Sequence, residues 1–274
     1  MFDQTDPGIA LGVGKNMVSA IKYWLQACGL AEERKDSIAA LKFGALLFSP
    51  TKGFDPYLED DVSLWLLHWN IASNRELATS FYWFFNYFHK TEFKASEVVA
   101  SLEEFLLEKT ATTVSRKTLE SDIAVLLRMY SPQKDNDSST PIEDSLQSPM
   151  TLLNLIDTSS DGSSYRLRNI DRPELPIEAF GYSLLDTLQK TNVNNIAISR
   201  LQKPIDEVPA LGTVFKLNED GLVSKLEQLS SRYSDLFDIR ETAGIHQIYR
   251  LQDVDKFSFL KHYFQTQRNI QEAQ

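Results

Sequence analysis

Apolar residues recur at intervals of three and four residues in several stretches before position 131, and this spacing predicts helices. The first helix is expected to begin at Lys15, within GIALGVGKNMVSAIKYWLQACGL (residues 8–30). Its apolar stripe consists of Met17, Val18, Ile21, Trp24, Leu25 and Cys28. Gly12 and Gly14 are expected to allow a sharp turn before the helix, where a side chain would clash, and Gly29 is expected to end it in a left-handed conformation.

The polar side of this first helix is richer in hydrogen-bonding groups than in charge. Its members are Lys15, Asn16, Ser19, Lys22 and Gln26. Side chains of these types reach base edges and phosphates when a helix enters a DNA groove. We therefore interpret the segment as the DNA-contacting helix of a helix-turn-helix, while an ordinary amphipathic surface helix remains an alternative that fits the same periodicity.

The paired glycines also raise the alternative of a phosphate-binding loop, and their spacing argues against it. A Walker-type loop has a glycine five residues before its final Gly-Lys pair and a Ser or Thr after the lysine. This sequence has Ile9 and Asn16 at those positions, and no apolar β-run precedes the loop.

The next segment is typical of the wing of a winged helix. AEERKDSIAAL (residues 31–41) predicts a polar turn leading into a short apolar strand, and KFGALLF (residues 42–48) predicts a helix. Arg34 and Lys35 are expected at the wing tip, where they could contact phosphate. A solvated loop accounts for these two residues equally well.

A second helix-turn-helix candidate is TTVSRKTLESDIAVLLRMY (residues 112–130), which follows the predicted helix ASEVVASLEEFLLEK (residues 95–109). Ser115 is the expected N-cap, and the apolar face starts at Leu119. The polar residues away from that face are Arg116, Lys117, Ser121 and Arg128.

Two aromatic helices are predicted between these units, in YLEDDVSLWLLHWNI (residues 57–71) and ATSFYWFFNYF (residues 78–88). Their large side chains can supply most of a helical core. We interpret His68 and His89, which lie on these elements, as hydrogen-bonded core residues rather than ligands.

A stretch rich in Ser, Asp and Pro, SPQKDNDSSTPIEDSLQSP, predicts a linker at 131–149. It divides the chain into an N-terminal helical domain (1–130) with winged-helix-like units and a C-terminal α+β domain (150–274). The expected fold class is mainly α with small β-hairpins, with tandem winged-helix or helix-turn-helix-like units. The expected C-terminal elements are short β-like runs in AFGYSLL (179–185), NNIAISRL (194–201) and GTVFKL (212–217), a helix at 219–232 and a hairpin at 237–251.

Composition narrows the class of protein. The chain has 274 residues, of which 42% are hydrophobic and 24% charged, which is typical of a folded protein. The absence of an apolar run of about 18 residues and of a signal pattern indicates a cytoplasmic protein without a membrane span. Its one cysteine, Cys28, excludes a disulfide or a cysteine-based metal cage within the chain. The net charge of −10 argues against a strong nonspecific DNA binder, so any DNA contact must come from local faces.

The sequence offers few candidate catalytic or metal-binding residues. The adjacent carboxylates Glu59, Asp60 and Asp61 are best explained as negative charge at a helix start, and no metal-ligand motif is recognised. The hairpin IRETAGIHQIYR (239–250) could act as a second wing that contacts phosphate.

That second hairpin holds the only catalytic candidates. Its basic residues Arg240 and Arg250 are the expected phosphate contacts, with His246 as a weak general-base candidate and Glu241 beside it. Alternation puts Arg240, Thr242 and His246 on one face and Glu241 with Ile245 on the other, unless the glycine at the bend shifts the phase. A hairpin packed on the preceding helix, with its charges in water, is the alternative.

Five stretches together resemble a known family: LGVGKNMVSAIKYW, FGALLF, DPYLEDDVSLWLLHW, EDSLQSPMTLLNLI and FDIRETAGIHQIYRL. The sequence is similar to a bacterial family, labelled as a domain of unknown function, whose genes accompany DNA sulfur-modification and defence operons. It includes the SspB proteins of single-strand phosphorothioation systems, which nick DNA alongside a cysteine desulfurase, an ATP pyrophosphatase and an ATPase. Members carry a helical segment upstream of the LGVGKN motif, so this copy is expected to be a short variant or to lack a piece supplied elsewhere.

The resemblance implies a DNA-binding component of a phosphorothioate modification and defence system, with those three proteins and DNA as partners. It implies nicking as an activity, with a divalent metal such as Mg²⁺ as cofactor, but it transfers no catalytic residue. A non-enzymatic DNA-binding regulator or adaptor is the alternative, and the charge of −10 also favours a scaffold that binds other proteins.

Overall fold

The structure is a computed structural model that describes residues 11–35, 37–110, 113–132, 148–204 and 207–272. The α-helices of these residues are α1 (Lys15–Ala27), α2 (Lys42–Phe48), α3 (Asp61–Ser73), α4 (Thr79–Tyr87), α5 (Ala95–Thr110), α6 (Arg116–Tyr130), α7 (Ile177–Thr191), α8 (Leu211–Val214), α9 (Glu219–Arg232) and α10 (Phe257–Glu272). The strands are β1 (Ala31–Arg34), β2 (Ser37–Ala40), β3 (Glu92–Phe93), β4 (Ile156–Thr158), β5 (Tyr165–Leu167), β6 (Asn195–Ala197), β7 (Phe237–Thr242) and β8 (Ile245–Arg250). Short 3₁₀ helices cover Pro149–Leu153 and Ile198–Leu201.

The described strands form three small antiparallel sheets. Strands β1 and β2 form a hairpin, β5 lies between β3 and β4, and β8 lies between β6 and β7. The α+β class with small hairpins is therefore confirmed. No helix within the described residues is long and apolar enough to span a lipid bilayer.

The amphipathic helices predicted before residue 131 are present. The N-cap prediction for α6 is confirmed, because the Ser115 hydroxyl accepts a hydrogen bond from the Thr118 backbone N–H at 3.2 Å. The apolar face of α6 is buried from Leu119 to Tyr130. Gly29 follows α1 with a φ of +68°, as the sequence predicts.

The core is centred on the two aromatic helices. Helix α3 is buried on nearly all sides, and α4 contributes a continuous buried run that includes Trp83, Phe84 and Phe85. The interpretation of His68 as a core residue is confirmed, since its imidazole is fully buried and lies 2.8 Å from both the Tyr130 hydroxyl and a backbone carbonyl. His89 is instead exposed, so its placement in the core was wrong.

The core continues into the C-terminal part of the chain. The Trp69 indole N–H donates to Asp186 at 2.9 Å, and the Lys216 ammonium donates to the Phe85 carbonyl at 3.0 Å. Buried side chains on both sides of the predicted linker form one hydrophobic cluster. The middle of that linker, 133–147, lies outside the described residues.

Two of the predicted β-like runs are wrong. AFGYSLL lies inside α7, and GTVFKL overlaps the short helix α8. Helix α7 is buried from Ile177 to Leu188, and its large apolar residues Ile177, Phe180, Leu184 and Leu188 recur at intervals of three and four residues, a helical spacing that the seven-residue run AFGYSLL is too short to show. NNIAISRL is divided between β6 and a 3₁₀ turn.

The helix at 219–232 and the hairpin at 237–251 are confirmed. The hairpin adopts the shifted phase that the sequence left open at the glycine, because Glu241 pairs with His246 and Thr242 pairs with Ile245. Directly opposite residues share a face, so the two-residue turn at Ala243 and Gly244, both with positive φ, shifts the phase of alternation.

Tandem winged-helix units are not confirmed. The β1–β2 hairpin does follow α1 as a wing would, and α5 and α6 do form a consecutive helix pair. However, the described neighbours of α1 include the aromatic helices α3 and α4, through which it joins the main core rather than a separate three-helix core.

Candidate nucleic-acid interface

Helix α1 is fixed to the protein through its C-terminal half. The Trp24 ring packs edge-to-face on Phe81 of α4 with centroids 5.6 Å apart, and the Tyr23 hydroxyl donates to the Leu77 carbonyl at 2.6 Å. Beyond the helix, the Asn70 side-chain amide of α3 donates to the Cys28 carbonyl at 3.0 Å. These contacts hold one end of α1 rigidly.

The N-terminal half of α1 faces solvent. Lys15, Asn16 and Ser19 are exposed, and Lys22 and Gln26 are half-buried. The Ser19 hydroxyl and the Gln26 amide each donate to a carbonyl one turn earlier in the same helix, at 3.3 Å. The part of the polar strip from Lys15 to Ser19 is therefore a surface feature, whereas Lys22 and Gln26 are partly covered by the protein.

One detail of the α1 prediction was wrong, because Met17 is 54% exposed and does not belong to the buried stripe. Within the described residues, no atom lies within 4 Å of a Cβ added at Gly12 or Gly14, so this part of the chain supplies no steric clash at either glycine. Gly12 has a φ of +68°, which does favour glycine, whereas Gly14 has an ordinary extended backbone.

The β1–β2 hairpin places Arg34 and Lys35 at its tip, as predicted for a wing. The Arg34 guanidinium donates to the Glu32 carboxylate at 2.7 Å through Nε, so a neighbouring negative charge offsets its charge. Lys35 is exposed and has a φ of +35°. Of the two, Lys35 is better able to meet a phosphate, because within the described residues no carboxylate forms an ion pair with it.

Helix α6 presents its predicted polar residues to solvent, with Lys117 and Ser121 both exposed. Arg116 is engaged in two ion pairs, with Glu103 of α5 at 3.1 Å and with Glu120 at 3.4 Å. Helix α6 approaches α1 across a cavity of about 330 Å³ whose lining includes Tyr23 of α1 and Asp122 of α6. The structure therefore brings the first and second candidate helices to one side of the aromatic core.

The charges on the β7–β8 hairpin are largely neutralised. Arg240 donates to Asp238 at 2.7 Å and lies 4.8 Å from the centre of the Tyr249 ring. Arg250 donates to Asp253 at 3.0 Å. His246 and Glu241 share a face, but their side chains are exposed and 3.9 Å apart, which is beyond hydrogen-bond reach. Their catalytic role stays a prediction without support from this geometry.

Carboxylates do not assemble a metal site in the described part of the chain, where no group of three or more His, Cys, Asp or Glu residues could hold a metal ion. At the start of α3, Asp55 accepts hydrogen bonds from the backbone N–H groups of Glu59 (2.8 Å) and Asp60 (3.2 Å). Asp60 accepts from the Tyr263 hydroxyl at 3.3 Å. This cluster therefore organises the loop and helix start, in agreement with the interpretation from sequence.

Sequence reasoning missed a buried carboxylate, Asp186 of α7. Its oxygens accept from the Trp69 indole at 2.9 Å, from the Lys190 ammonium at 2.8 Å, and from the Lys256 ammonium. Burial opposes ionisation, but the two lysines outweigh it and hold the pKa of Asp186 below its ordinary value. The four-residue spacing of Asp186 and Lys190 was the only local signal, since the other partners are distant in sequence.

A second buried cluster surrounds His68 and Lys216. Burial lowers the pKa of His68 to about 3, so the imidazole is neutral near pH 7. Burial, reinforced by the positive charge of Arg172, lowers the pKa of Lys216 to about 7. The ammonium of Lys216 also lies 5.6 Å from the centre of the Phe85 ring. These groups are enclosed in the core and carry no exposed chemistry.

A model of the family described as "Protein of unknown function (DUF4007)" matches residues 1–264. The chain belongs to the DUF4007 family. A comparison of this DUF4007 member with curated proteins finds no match.

Two solved structures resemble this DUF4007 member. A crystal structure of SspB is 25% identical, with a TM-score of 0.79, over 96% of this chain and 80% of that one. A magnesium ion-bound crystal structure of SspB gives a TM-score of 0.81 with the same identity and coverage. The resemblance to an SspB-like family that the sequence suggests is therefore confirmed.

Proposed function

We propose that this chain is a DNA-binding component of a bacterial DNA phosphorothioate modification and defence system, located in the cytoplasm. The observation that carries the proposal is the solvent-facing polar strip of α1 on a helix whose other end is fixed by aromatic packing. The similarity to SspB, a protein of phosphorothioation systems, over nearly the whole chain supports a role in such a system.

The proposed contact uses the exposed half of α1. Lys15 contacts a phosphate, while Asn16 and Ser19 reach base edges in the major groove. Lys35 of the hairpin tip and Lys117 of α6 are exposed and add backbone contacts on either side. A face with few cations, in a chain of net charge −10, gives weak binding to DNA alone and tighter binding within an assembly.

The assembly follows from the same resemblance. DNA is one partner, and the desulfurase, ATP pyrophosphatase and ATPase of phosphorothioation systems are the proposed protein partners. These partners would explain how a protein with a net charge of −10 acts on DNA, because their surfaces can add the cations that this chain lacks.

Nicking belongs to this proposal only as an activity to be tested. Hydrolysis of a phosphodiester needs a metal or an activated nucleophile. The described residues do not form a three-carboxylate or histidine cluster that fits Mg²⁺, and His246 with Glu241 is an open, exposed pair. We therefore derive no metal-dependent step from this chain and assign it DNA binding.

A scaffold for other proteins is the second candidate. Exposed apolar side chains surround the cavity between α1 and α6, with Tyr23 39%, Leu77 43% and Val125 39% exposed. A patch of this kind is typical of a surface that a protein partner covers. The acidic net charge agrees with this alternative.

Binding to a labelled 25-bp duplex at increasing salt separates the two candidates. A DNA binder loses affinity steeply with salt because phosphate contacts release counterions. The double variant Lys15→Glu/Lys22→Glu should lose most of the affinity. The matched control Lys52→Glu/Lys94→Glu makes the same change in net charge at two exposed lysines away from α1 and should lose much less. Equal affinities for the two variants would remove α1 as the DNA-contacting helix.

Conversion of supercoiled plasmid to open circles with Mg²⁺ or Mn²⁺ tests nicking separately. The experiment includes the desulfurase, pyrophosphatase and ATPase partners. An open-circle product that His246→Ala abolishes would assign nicking to this chain, and its absence leaves DNA binding as the function.

A further inference from the structure

Two neighbouring cavities run along helix α7 and meet at Lys190. The first cavity has a volume of about 570 Å³. One side of it is formed by the C-terminal end of α1 together with helices α2 and α3, and the other side by helices α7 and α10. The second, of about 620 Å³, lies between α7, β6, residues 208–209 and the start of β8. Because Lys190 lines both, we describe the two cavities together as the α7 trough.

The lining of the α7 trough is positive in a negative protein. Its cations are Lys42, Arg75, Lys190, Arg200 and Lys256, and its carboxylates are Glu76 and Asp186. Asp255 and Glu207, which do not line it, form ion pairs with Lys42 and Arg75. The second cavity is lined by Lys190 and Arg200 and by no carboxylate within the described residues. Lys190 pairs with Asp186 from the first cavity, whereas no carboxylate of the described residues forms an ion pair with Arg200.

Buried structure holds the central cations in place. Asp186 binds both Lys190 and Lys256 while its own side chain is only 7% exposed. The Lys190 side chain remains 44% exposed, and an ammonium has three N–H donors, so the ion pair leaves donors for a ligand. Two lysines that share one carboxylate keep a net positive charge at the point where the cavities meet.

The remaining lining fits a chain of phosphates and bases rather than a small ion. Thr187, Thr191, Asn195 and Gln247 also line the second cavity. The two threonine hydroxyls donate to carbonyls of their own helix and the Asn195 amide donates to Gln247, so the two cations are the main ligand-binding groups there. Phe257 lines the first cavity as a half-buried aromatic ring, with the Lys42 ammonium 4.8 Å from its centre and Tyr182 packed edge-to-face beside it. Cationic grooves with an aromatic surface are the usual sites for single-stranded nucleic acid, since phosphates follow the charge and bases stack on the ring. Stacking of a base on an aromatic ring requires an unpaired base, so this lining favours a single strand over a duplex.

We propose that the α7 trough binds a single strand of nucleic acid, with Lys190 and Arg200 contacting phosphates and Phe257 contacting a base. The choice of polymer rests on the proposed role in DNA modification, but the residues are separate from those of α1. The protein would then hold a duplex at α1 and a locally separated strand in the trough.

Fluorescence anisotropy with labelled (dT)12 tests this proposal on the full chain. The wild type should bind with an affinity that falls as salt rises. Lys190→Gln/Arg200→Gln should weaken binding at least about 10-fold and lower the salt slope by roughly 1.4, from two lost phosphate contacts. The matched control Lys52→Gln/Lys94→Gln removes two exposed lysines outside the trough and should match the wild type.

Further variants keep the test independent of folding and of α1. Arg200→Gln alone leaves the Asp186 cluster intact and should still weaken (dT)12 binding several-fold. Lys15→Glu should reduce duplex binding and leave (dT)12 binding unchanged, so failure of the trough and failure of the α1 proposal give different results.

Three outcomes would overturn the proposal. They are no binding of (dT)12 by the wild type, equal binding by the trough variants and the wild type, and displacement of (dT)12 by poly-glutamate of the same charge at the same concentration as unlabelled (dT)12. The last outcome would assign the trough to an acidic protein segment.

Discussion

Replacing Lys216 by Met should change how stability depends on pH. The pKa of this fully buried lysine is lowered from 10.5 to about 7, because burial penalises its charge. Each pKa unit corresponds to about 1.4 kcal/mol. The free energy of unfolding is therefore lower by at most about 5 kcal/mol when Lys216 is protonated in the folded protein than when it is neutral there.

The sign of the pH dependence of the free energy of unfolding follows from proton binding. Between pH 7 and pH 10.5 the unfolded chain keeps the Lys216 proton and the folded chain has released it, so the free energy of unfolding rises with pH in that window. From pH 7 to pH 9 the expected gain is about 2 kcal/mol. In Lys216→Met this gain disappears, while the lost hydrogen bond to the Phe85 carbonyl adds a pH-independent destabilisation of about 1 kcal/mol.

Urea denaturation at pH 7, 8 and 9 measures the effect as a difference in slope. Lys94→Met is the matched control, because that lysine is exposed and should keep the wild-type slope. Parallel pH profiles for the wild type and Lys216→Met would refute the assignment of a lowered pKa to this lysine.

Two further substitutions test local packing. Gly44→Ala should destabilise the protein by about 1–3 kcal/mol, because the added Cβ would lie 2.2 Å from the Leu30 carbonyl oxygen. Gly14→Ala should be nearly neutral, since no atom of the described residues lies within 4 Å of its added Cβ. Similar midpoints for these two variants in thermal unfolding would contradict the packing around α2. Ser115→Ala should lower the free energy of unfolding by about 1 kcal/mol, because it removes the N-cap of α6. The control Ser121→Ala changes an exposed serine of the same helix and should have little effect. Equal effects of the two substitutions in urea denaturation would argue against the cap.

The sequence was informative where one side of an element meets water. The stripe and polar strip of α1 and the N-cap of α6 followed from spacing, because each helix has a solvent side that interrupts its apolar residues. Helix α7 was mistaken for a strand because only its run AFGYSLL was considered, and the helical spacing of Ile177, Phe180, Leu184 and Leu188 extends beyond that run at both ends. The hairpin was recognised, but its faces depended on a two-residue turn that alternation alone does not specify.

Features of the candidate sites that depend on a single helix could be predicted, and those that depend on contacts between distant elements could not. Exposure of Lys15 and Ser19 could be predicted from their own helix. The Asp186 cluster could not, because Trp69 and Lys256 come from elements far from α7 in the sequence. Neutralisation of Arg240 by Asp238 also depends on side-chain placement rather than on pattern.

The central claim is that the exposed half of α1 lies against DNA, and site-directed crosslinking tests it most directly. Cys28 is buried and burial raises the pKa of its thiol to about 12, so it should contribute little background labelling. A photo-crosslinker attached at Ser19→Cys should capture a bound duplex, and the same reagent at Lys94→Cys should not. Equal capture at the two positions, or capture only at Lys94→Cys, would contradict the account.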